Sequence, residues 1–169
     1  MLEAIVNRLP KGKQRGVVLA VGGMGALLAG SKAVGMTMFA GGVADLEAAW
    51  RQAHPEFQGD LKARWAEAVS FYESTHKDPT NRILHVAGIP MILGGAVGLL
   101  LAPSYSPPWW VAAGAFGTGW ALNIVGHAMF EKNRPAFADD PLSFLAGPVW
   151  DLGQVKTLVT SRKAPVRVA

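Results

Sequence analysis

The chain has no cysteine, so disulfides, thiolate nucleophiles and cysteine-ligated zinc or iron–sulfur centres are excluded. Any metal must be held by histidine and carboxylate. Charge is also scarce: 17% of the 169 residues are Asp, Glu, Lys or Arg, against 50% apolar, and mean hydropathy is positive, a composition that leans towards the membrane. From Ile83 to Phe130 there is no charged residue at all. A soluble domain rarely runs that far without one, because its loops must face water. No Gly-x-Ser-x-Gly nucleophile elbow is present, and the glycines around Gly22 lack the Gly-Lys-Ser/Thr ending of a phosphate loop. Four histidines are too few for a membrane di-iron desaturase. Basic and aromatic residues do not interleave as a nucleic-acid surface would require.

What remains is organised around that uncharged stretch. It is bracketed by polar clusters, Tyr72 to Arg82 before it and Glu131 to Pro135 after it. Ile83–Ala102 is long enough to cross the hydrocarbon core, Pro103–Pro108 makes a turn, and Trp109-Trp110 open a second span as interfacial aromatics do. In such an antiparallel hairpin His85, one turn into the first helix, and His127, one turn from the end of the second, lie at the same height.

Upstream, Leu2, Ile5, Val6 and Leu9 are spaced like one face of an interfacial helix, and the N-terminus does not read as a cleaved signal because Pro10, Gly12 and Lys32 interrupt it. Val17–Val43 is apolar and glycine-rich but broken by Ser31-Lys32. It reads either as one transmembrane helix or as two shorter arms that dip in and return. From Asp60, a candidate N-cap, the residues Leu61, Trp65, Ala68, Val69 and Tyr72 recur at helical spacing and carry His76 on the same stripe. That helix is expected to lie on the membrane surface and deliver His76 to the hairpin's open end. Leu142–Val159 reads as a further membrane-associated helix. The expected fold is all-α, a polytopic membrane helical bundle with an amphipathic surface helix, divided as an N-terminal extension over 1–60, a membrane domain over 61–160 and a flexible tail over 161–169.

His54 precedes Pro55 in a polar segment and is set aside. The other three histidines converge, and Asn123, His127 and Glu131 share one polar stripe four residues apart. Imidazole with carboxylate suits Fe(II), zinc or manganese, and three such ligands with open positions are what non-haem iron needs. Asn81 and Asn123, each four residues before a histidine, are candidate partners that fix the ring orientations. Arg82, Lys132 and Arg134 are basic groups at the same membrane face.

At these residues the sequence resembles the 2-hydroxy fatty acid dioxygenase family, small multi-pass membrane proteins whose fungal member acts in phytosphingosine breakdown. The resemblance rests on Tyr72-x3-His76-x-Asp78-Pro79-x-Asn81-x3-His85 with Gly88-x-Pro90, and on Trp120-x5-Gly126-His127-x2-Phe130-Glu131-Lys132-x-Arg134-Pro135-Ala136, and it covers roughly 61–159. It implies Fe(II)-dependent α-oxidation of a 2-hydroxy fatty acid, with O2 as co-substrate, to an acid one carbon shorter. It implies His76, His85 and His127 as metal ligands, with Glu131 and Arg134 as catalytic candidates. The site face is expected to be cytoplasmic, and the partners are the lipid bilayer and the acyl substrate. A non-catalytic membrane scaffold or lipid-binding protein, or a zinc hydrolase with Glu131 as general base, are the alternatives.

Overall fold

The structure is a computed structural model and describes residues 12–135, 137 and 139–161. The expected interfacial segment at Leu2–Leu9 and the tail from 162 onward lie outside the described residues. Six α-helices are formed among the described residues: α1 (Lys13–Leu28), α2 (Lys32–Ala53), α3 (Leu61–Thr75), α4 (Pro79–Leu101), α5 (Pro107–Val125), which continues into a π-helical turn at Gly126–Glu131, and α6 (Ser143–Ser161). The chain is therefore all-helical among the described residues.

Two antiparallel hairpins, α1 with α2 and α4 with α5, make the most extensive helix–helix contacts. In each, glycine lets the backbones touch. A Cβ on Gly23 would sit 2.7 Å from the Gly35 carbonyl oxygen, and one on Gly95 would sit 2.6 Å from the Phe116 nitrogen. Gly23 and Gly35 recur seven residues on from Gly16 and seven before Gly42, and Gly88 and Gly95 are likewise seven apart. That spacing keeps the small residues on one seam of a helix.

Of the two readings of Val17–Val43, the single span is overturned: Ala29–Ser31 is a turn, and the segment returns on itself. Gly30 supplies the left-handed conformation, φ 75°, that the reversal needs. The tips of the two hairpins meet. Tyr105 Oη donates to the Ala29 carbonyl at 2.7 Å, Ser104 Oγ donates to that of Gly30 at 3.2 Å, and Lys32 Nζ donates to that of Ala102 at the end of α4. Lys32 thus opens α2 beside the turn and is not mid-span, with its ammonium on a helix-end carbonyl. The open ends of both hairpins consequently lie together at the opposite end.

α4 starts at Pro79, four residues before the expected Ile83. Asp78 is the reason: its side chain accepts from the amides of Thr80 (2.8 Å) and Asn81 (3.1 Å), and Pro79 at the first helical position lacks the N–H that would have needed a partner. Among the described residues α4 is the one helix long and apolar enough to cross a membrane. Only a third of its apolar window is buried by protein. The remainder, including Ile83, Leu93, Val97 and Leu101, faces outward. α5 carries no charge but falls short of the same criterion, its prolines, glycines, tryptophans and Asn123 lowering its hydropathy.

α3 forms as its spacing predicts, with Asp60 capping the Ala63 amide at 2.9 Å. Its buried stripe is Arg64, Ala68 and Tyr72, with His76 as C-cap, while Leu61 is exposed. Arg64 is fully buried. Its guanidinium forms a two-point bond to Asp140 (2.7 and 2.9 Å), reaches Glu47 of α2 at 3.0 Å and stacks over the Trp50 ring at 3.6 Å. Asp140 also accepts from the amides of Leu142 and Ser143, so the same carboxylate caps α6. One side chain thereby ties α2, α3 and the start of α6 together.

Candidate metal centre

His76, His85 and His127 form one buried cluster, their candidate ligand atoms all within 4.8 Å of one another. Each comes from a different element: His76 from the end of α3, His85 from the second turn of α4, and His127 from the π-turn after α5. The three ring centroids form a triangle with 4.8 Å on every side, and the ring planes cross at 82°, 76° and 88°.

The Nδ1 of every ring is already used. That of His76 bonds the Tyr72 carbonyl at 3.0 Å, that of His85 the Asn81 carbonyl at 2.9 Å, and that of His127 the Asn133 Oδ1 at 2.6 Å. All three acceptors are oxygens, so Nδ1 carries the proton and Nε2 keeps its lone pair. Among the described residues no donor meets the lone pairs of these three buried, crowded imidazoles, and a cation is what such a donor set fits. A divalent ion about 2.1 Å from three imidazole nitrogens, bound on one face, separates their ring centroids by about 4.5–5 Å. The observed triangle has that size.

Local structure explains how His127 is aimed. Gly126 has no side chain and packs against the Asn81 carboxamide. The wide π-turn follows, and Lys132 then adopts the left-handed conformation (φ 56°) and reverses the chain. The reversal brings Asn133 back to His127, while its Nδ2 donates to the Thr75 carbonyl at 2.8 Å. Asn133 thus joins the His127 turn to the end of α3.

The other expected site residues are placed as follows. Asn81 serves His85 through its backbone, and its side-chain Nδ2 donates to Glu131 at 3.1 Å. Asn123 is buried with its Oδ1 against Gly88 and touches no histidine nitrogen through a hydrogen bond; the ring of His127 is fixed by Asn133 instead. Glu131 accepts from the amides of Lys77 (2.8 Å) and Asp78 (2.9 Å) and lies outside the metal-competent group. Burial pushes its carboxyl up, but those amides and Asn81 outweigh it and hold the group below the usual carboxylate range. Arg134 and Lys132 are exposed beside the site. Arg82 is committed to Asp151 at 2.8 Å and lies over the Trp150 ring.

Tyr72, which opens the first signature block, and Asp151 also stand beside the site, though neither was among the expected site residues. Tyr72 stacks on His76 with centroids 3.8 Å apart, and its hydroxyl donates to the buried Asp151 at 2.6 Å. Tyr72 lies four residues before His76 on one stripe, and that spacing was the available signal. Burial, followed by the bond to Asp151, raises the Tyr72 phenol well above its ordinary value, so it stays protonated. Burial, and then the neighbouring His85 and His127, push His76 down to about 3, which keeps it neutral and able to bind a cation.

A small space of ≈30 Å³ opens onto the three histidines, lined also by Tyr72, Trp120, Asn123, Phe137 and Phe144. Beside it lies a partly open apolar cavity of ≈410 Å³ between the two hairpins. The cluster can hold one metal ion next to a partly open, mostly apolar space.

No curated protein and no solved structure matches the sequence. One family model does match, over residues 63–157, and its description is 2-hydroxy-palmitic acid dioxygenase Mpo1-like. More than half of the chain is covered, including every histidine of the cluster and the Asn133, Tyr72 and Asp151 that surround it, and the chain therefore belongs to the 2-hydroxy-palmitic acid dioxygenase Mpo1-like family.

Proposed function

We propose that the protein is a membrane-embedded, Fe(II)-dependent dioxygenase that converts 2-hydroxy fatty acids into fatty acids one carbon shorter. The observation that carries the reading is the triangle of imidazoles, each with Nδ1 bound to an oxygen, inside the family match. In this reaction the C1–C2 bond breaks and the alcohol carbon becomes the new carboxyl. With O2 as the four-electron oxidant, the balance closes on the shortened acid, carbon dioxide and water.

His76, His85 and His127 would hold the iron, which supplies the one-electron chemistry that lets O2 react with a closed-shell hydroxy acid. The chain's own residues do the rest. The Tyr72 and Asn81 carbonyls and Asn133 fix the three rings. Glu131 positions the Lys77–Asn81 segment between His76 and His85, and with both oxygens taken it is a positioning group in this reading and not a free base. Arg134 and Lys132, exposed at the rim, draw the substrate carboxylate towards the site.

The membrane reading rests on the outward apolar face of α4 and on charge placement. Arg15, Asp45, Arg64, Arg82 and Glu131 belong to the open ends of the hairpins, whereas Lys32 is the charged residue at the tips. Basic flanks at Lys13 and Arg15 favour a cytoplasmic open end. Because the chain has no cysteine, a single Lys62→Cys variant labelled by an impermeant maleimide reports which side the histidines occupy.

The primary test is anaerobic purification in detergent, metal analysis and O2 uptake with a 2-hydroxy fatty acid. Stoichiometric iron that is lost in His127→Ala, together with hydroxy-acid-dependent O2 uptake, is the expected result. Zinc with no O2 uptake, or no metal after Fe(II) is supplied, would overturn the proposal.

A further inference from the structure

The ≈410 Å³ cavity is walled on one side by the N-terminal hairpin, through Met24, Met36 and Phe39 among others, and on the other by α4, α5, Phe137, Pro141, Phe144 and Leu145. Its lining is apolar throughout, and its size falls in the range of ligand sites. It shares Trp120, Phe137 and Phe144 with the small space over the histidines. Those three rings form a partition: Trp120 stacks on Phe144 with centroids 5.6 Å apart, and Phe137 meets Phe144 edge-on at 5.5 Å. The Trp120 indole N–H is buried and has no hydrogen-bond partner among the described residues. An indole nitrogen can only donate, and a buried donor left unpaired is destabilising. A ligand oxygen at the partition would satisfy it.

Dimensions identify the occupant. α4 lines the cavity from Ile92 to Leu100, so its helical rise carries the cavity from about 10 Å to about 22 Å beyond the level of His85. One leaflet of hydrocarbon is about 15 Å deep. The space therefore suits a single long acyl chain lying along the hairpins with its polar end at the partition.

We infer that this cavity is the acyl-chain site of the enzyme, and that the N-terminal hairpin, which precedes the family match, sets the length of chain accepted. Trp120 is inferred to donate to an oxygen at the substrate's polar end. The inference rests on the dioxygenase reading for the identity of that polar end, but the acyl site can be tested without turnover.

Two substitutions fill the cavity from opposite walls: Ala40→Phe on α2, where the position is exposed enough to accept a larger side chain, and Ala96→Phe on α4. Purified protein in detergent is titrated with a mid-chain brominated stearic acid, which quenches nearby tryptophan. Saturable quenching in the wild type, weakened at least about tenfold in apparent affinity in both variants and reduced in amplitude in Trp120→Phe, is expected. In turnover, both variants should lose at least about tenfold in kcat/KM on 2-hydroxyoctadecanoate while staying within about twofold of wild type on 2-hydroxydodecanoate.

Quenching that does not saturate, or that both variants leave unchanged, overturns the acyl site. If O2 uptake persists in that case, the dioxygenase reading survives alone. Saturable quenching lost in the variants, in a protein that binds no iron and consumes no O2, keeps the acyl site and removes the dioxygenase reading. Melting temperatures within a few degrees of wild type for Ala40→Phe show that the loss is local.

Discussion

Asn133→Ala removes the side-chain contact that fixes the His127 ring. His76 and His85 lean on carbonyls of the main chain four residues earlier, which no substitution deletes; His127 leans on the Asn133 Oδ1 at 2.6 Å, the shortest of the three bonds. Removing it frees the His127 ring to rotate and to change tautomer. Loss of such an orienting partner costs about 10–100-fold in metal affinity, which is about 1.4–2.7 kcal/mol. The upper half of that range is expected, because Asn133 also holds the Thr75 carbonyl and, through it, the His76 end of α3. The assay is anaerobic competition for Fe(II) against a chromophoric chelator. Asn133→Asp separates the two contacts: it keeps an acceptor for His127 and loses the donor to Thr75, so affinity should fall less than in Asn133→Ala, and the remaining loss measures the Thr75 contact. Asn123→Ala is the comparison, since its carboxamide abuts Gly88, and its affinity should stay within about twofold of wild type. Wild-type affinity in Asn133→Ala, with a loss in Asn123→Ala, would refute the reasoning.

Asp140→Ala leaves the fully buried Arg64 guanidinium short of its two-point partner; such breakage costs about 3–5 kcal/mol and should appear as a lowered urea midpoint. Glu131→Gln keeps an acceptor oxygen for only one of the Lys77 and Asp78 amides and should lower metal content while activity per bound iron stays constant; a general-base role would instead lower activity per iron by about 10²–10⁴-fold. Metal-free protein should lose stability on acidification: His76 in the folded state resists protonation down to about 3, whereas the unfolded chain takes up that proton near the ordinary 6.5. The contribution is complete above about 6.5 and declines as pH falls from there towards 3. Urea midpoints across that window check the sign, and His76→Gln should flatten the curve.

Convergence of the three histidines was legible because a hairpin of two apolar helices has only one register once its turn is known, and Pro103–Pro108 marks that turn. His85 and His127 then share a height without any knowledge of side-chain packing. The partner of His127 was not legible in the same way. Counting by four from His127 leads back to Asn123, as it leads from His85 to Asn81, but the π-turn at Gly126–Glu131 interrupts α-helical counting and the reversal at Lys132 brings Asn133 back instead. Arg64 illustrates a different failure. A charge on a helix reads as solvent-facing, and the partners that permit its burial, Glu47 and Asp140, lie 17 and 76 residues away in sequence. The hairpin at Val17–Val43 stayed undecided because Ser31-Lys32 alone is a weak break; the seven-residue recurrence of Gly16–Gly23 and Gly35–Gly42 was the stronger signal, two seams of equal pitch facing each other.

Arg64 also determines what a shortened chain should do. It stands at the start of the family match, yet Glu47 and Trp50, which share its guanidinium, belong to α2 and precede that match. A chain beginning at Asp60 would keep Asp140 but expose one side of a cation that is wholly buried in the full protein. It would lose the ring contact, worth about 2 kcal/mol when desolvated, and would strip α4 and α5 of the apolar wall that α1 provides around Leu27 and Ile92. Against a total stability of about 5–15 kcal/mol, losses on this scale should leave no cooperative unfolding transition and a polydisperse protein in detergent. A monodisperse fragment that unfolds cooperatively and binds iron like the full chain would show instead that the three-histidine helices are self-sufficient and that the N-terminal hairpin acts on the acyl chain alone.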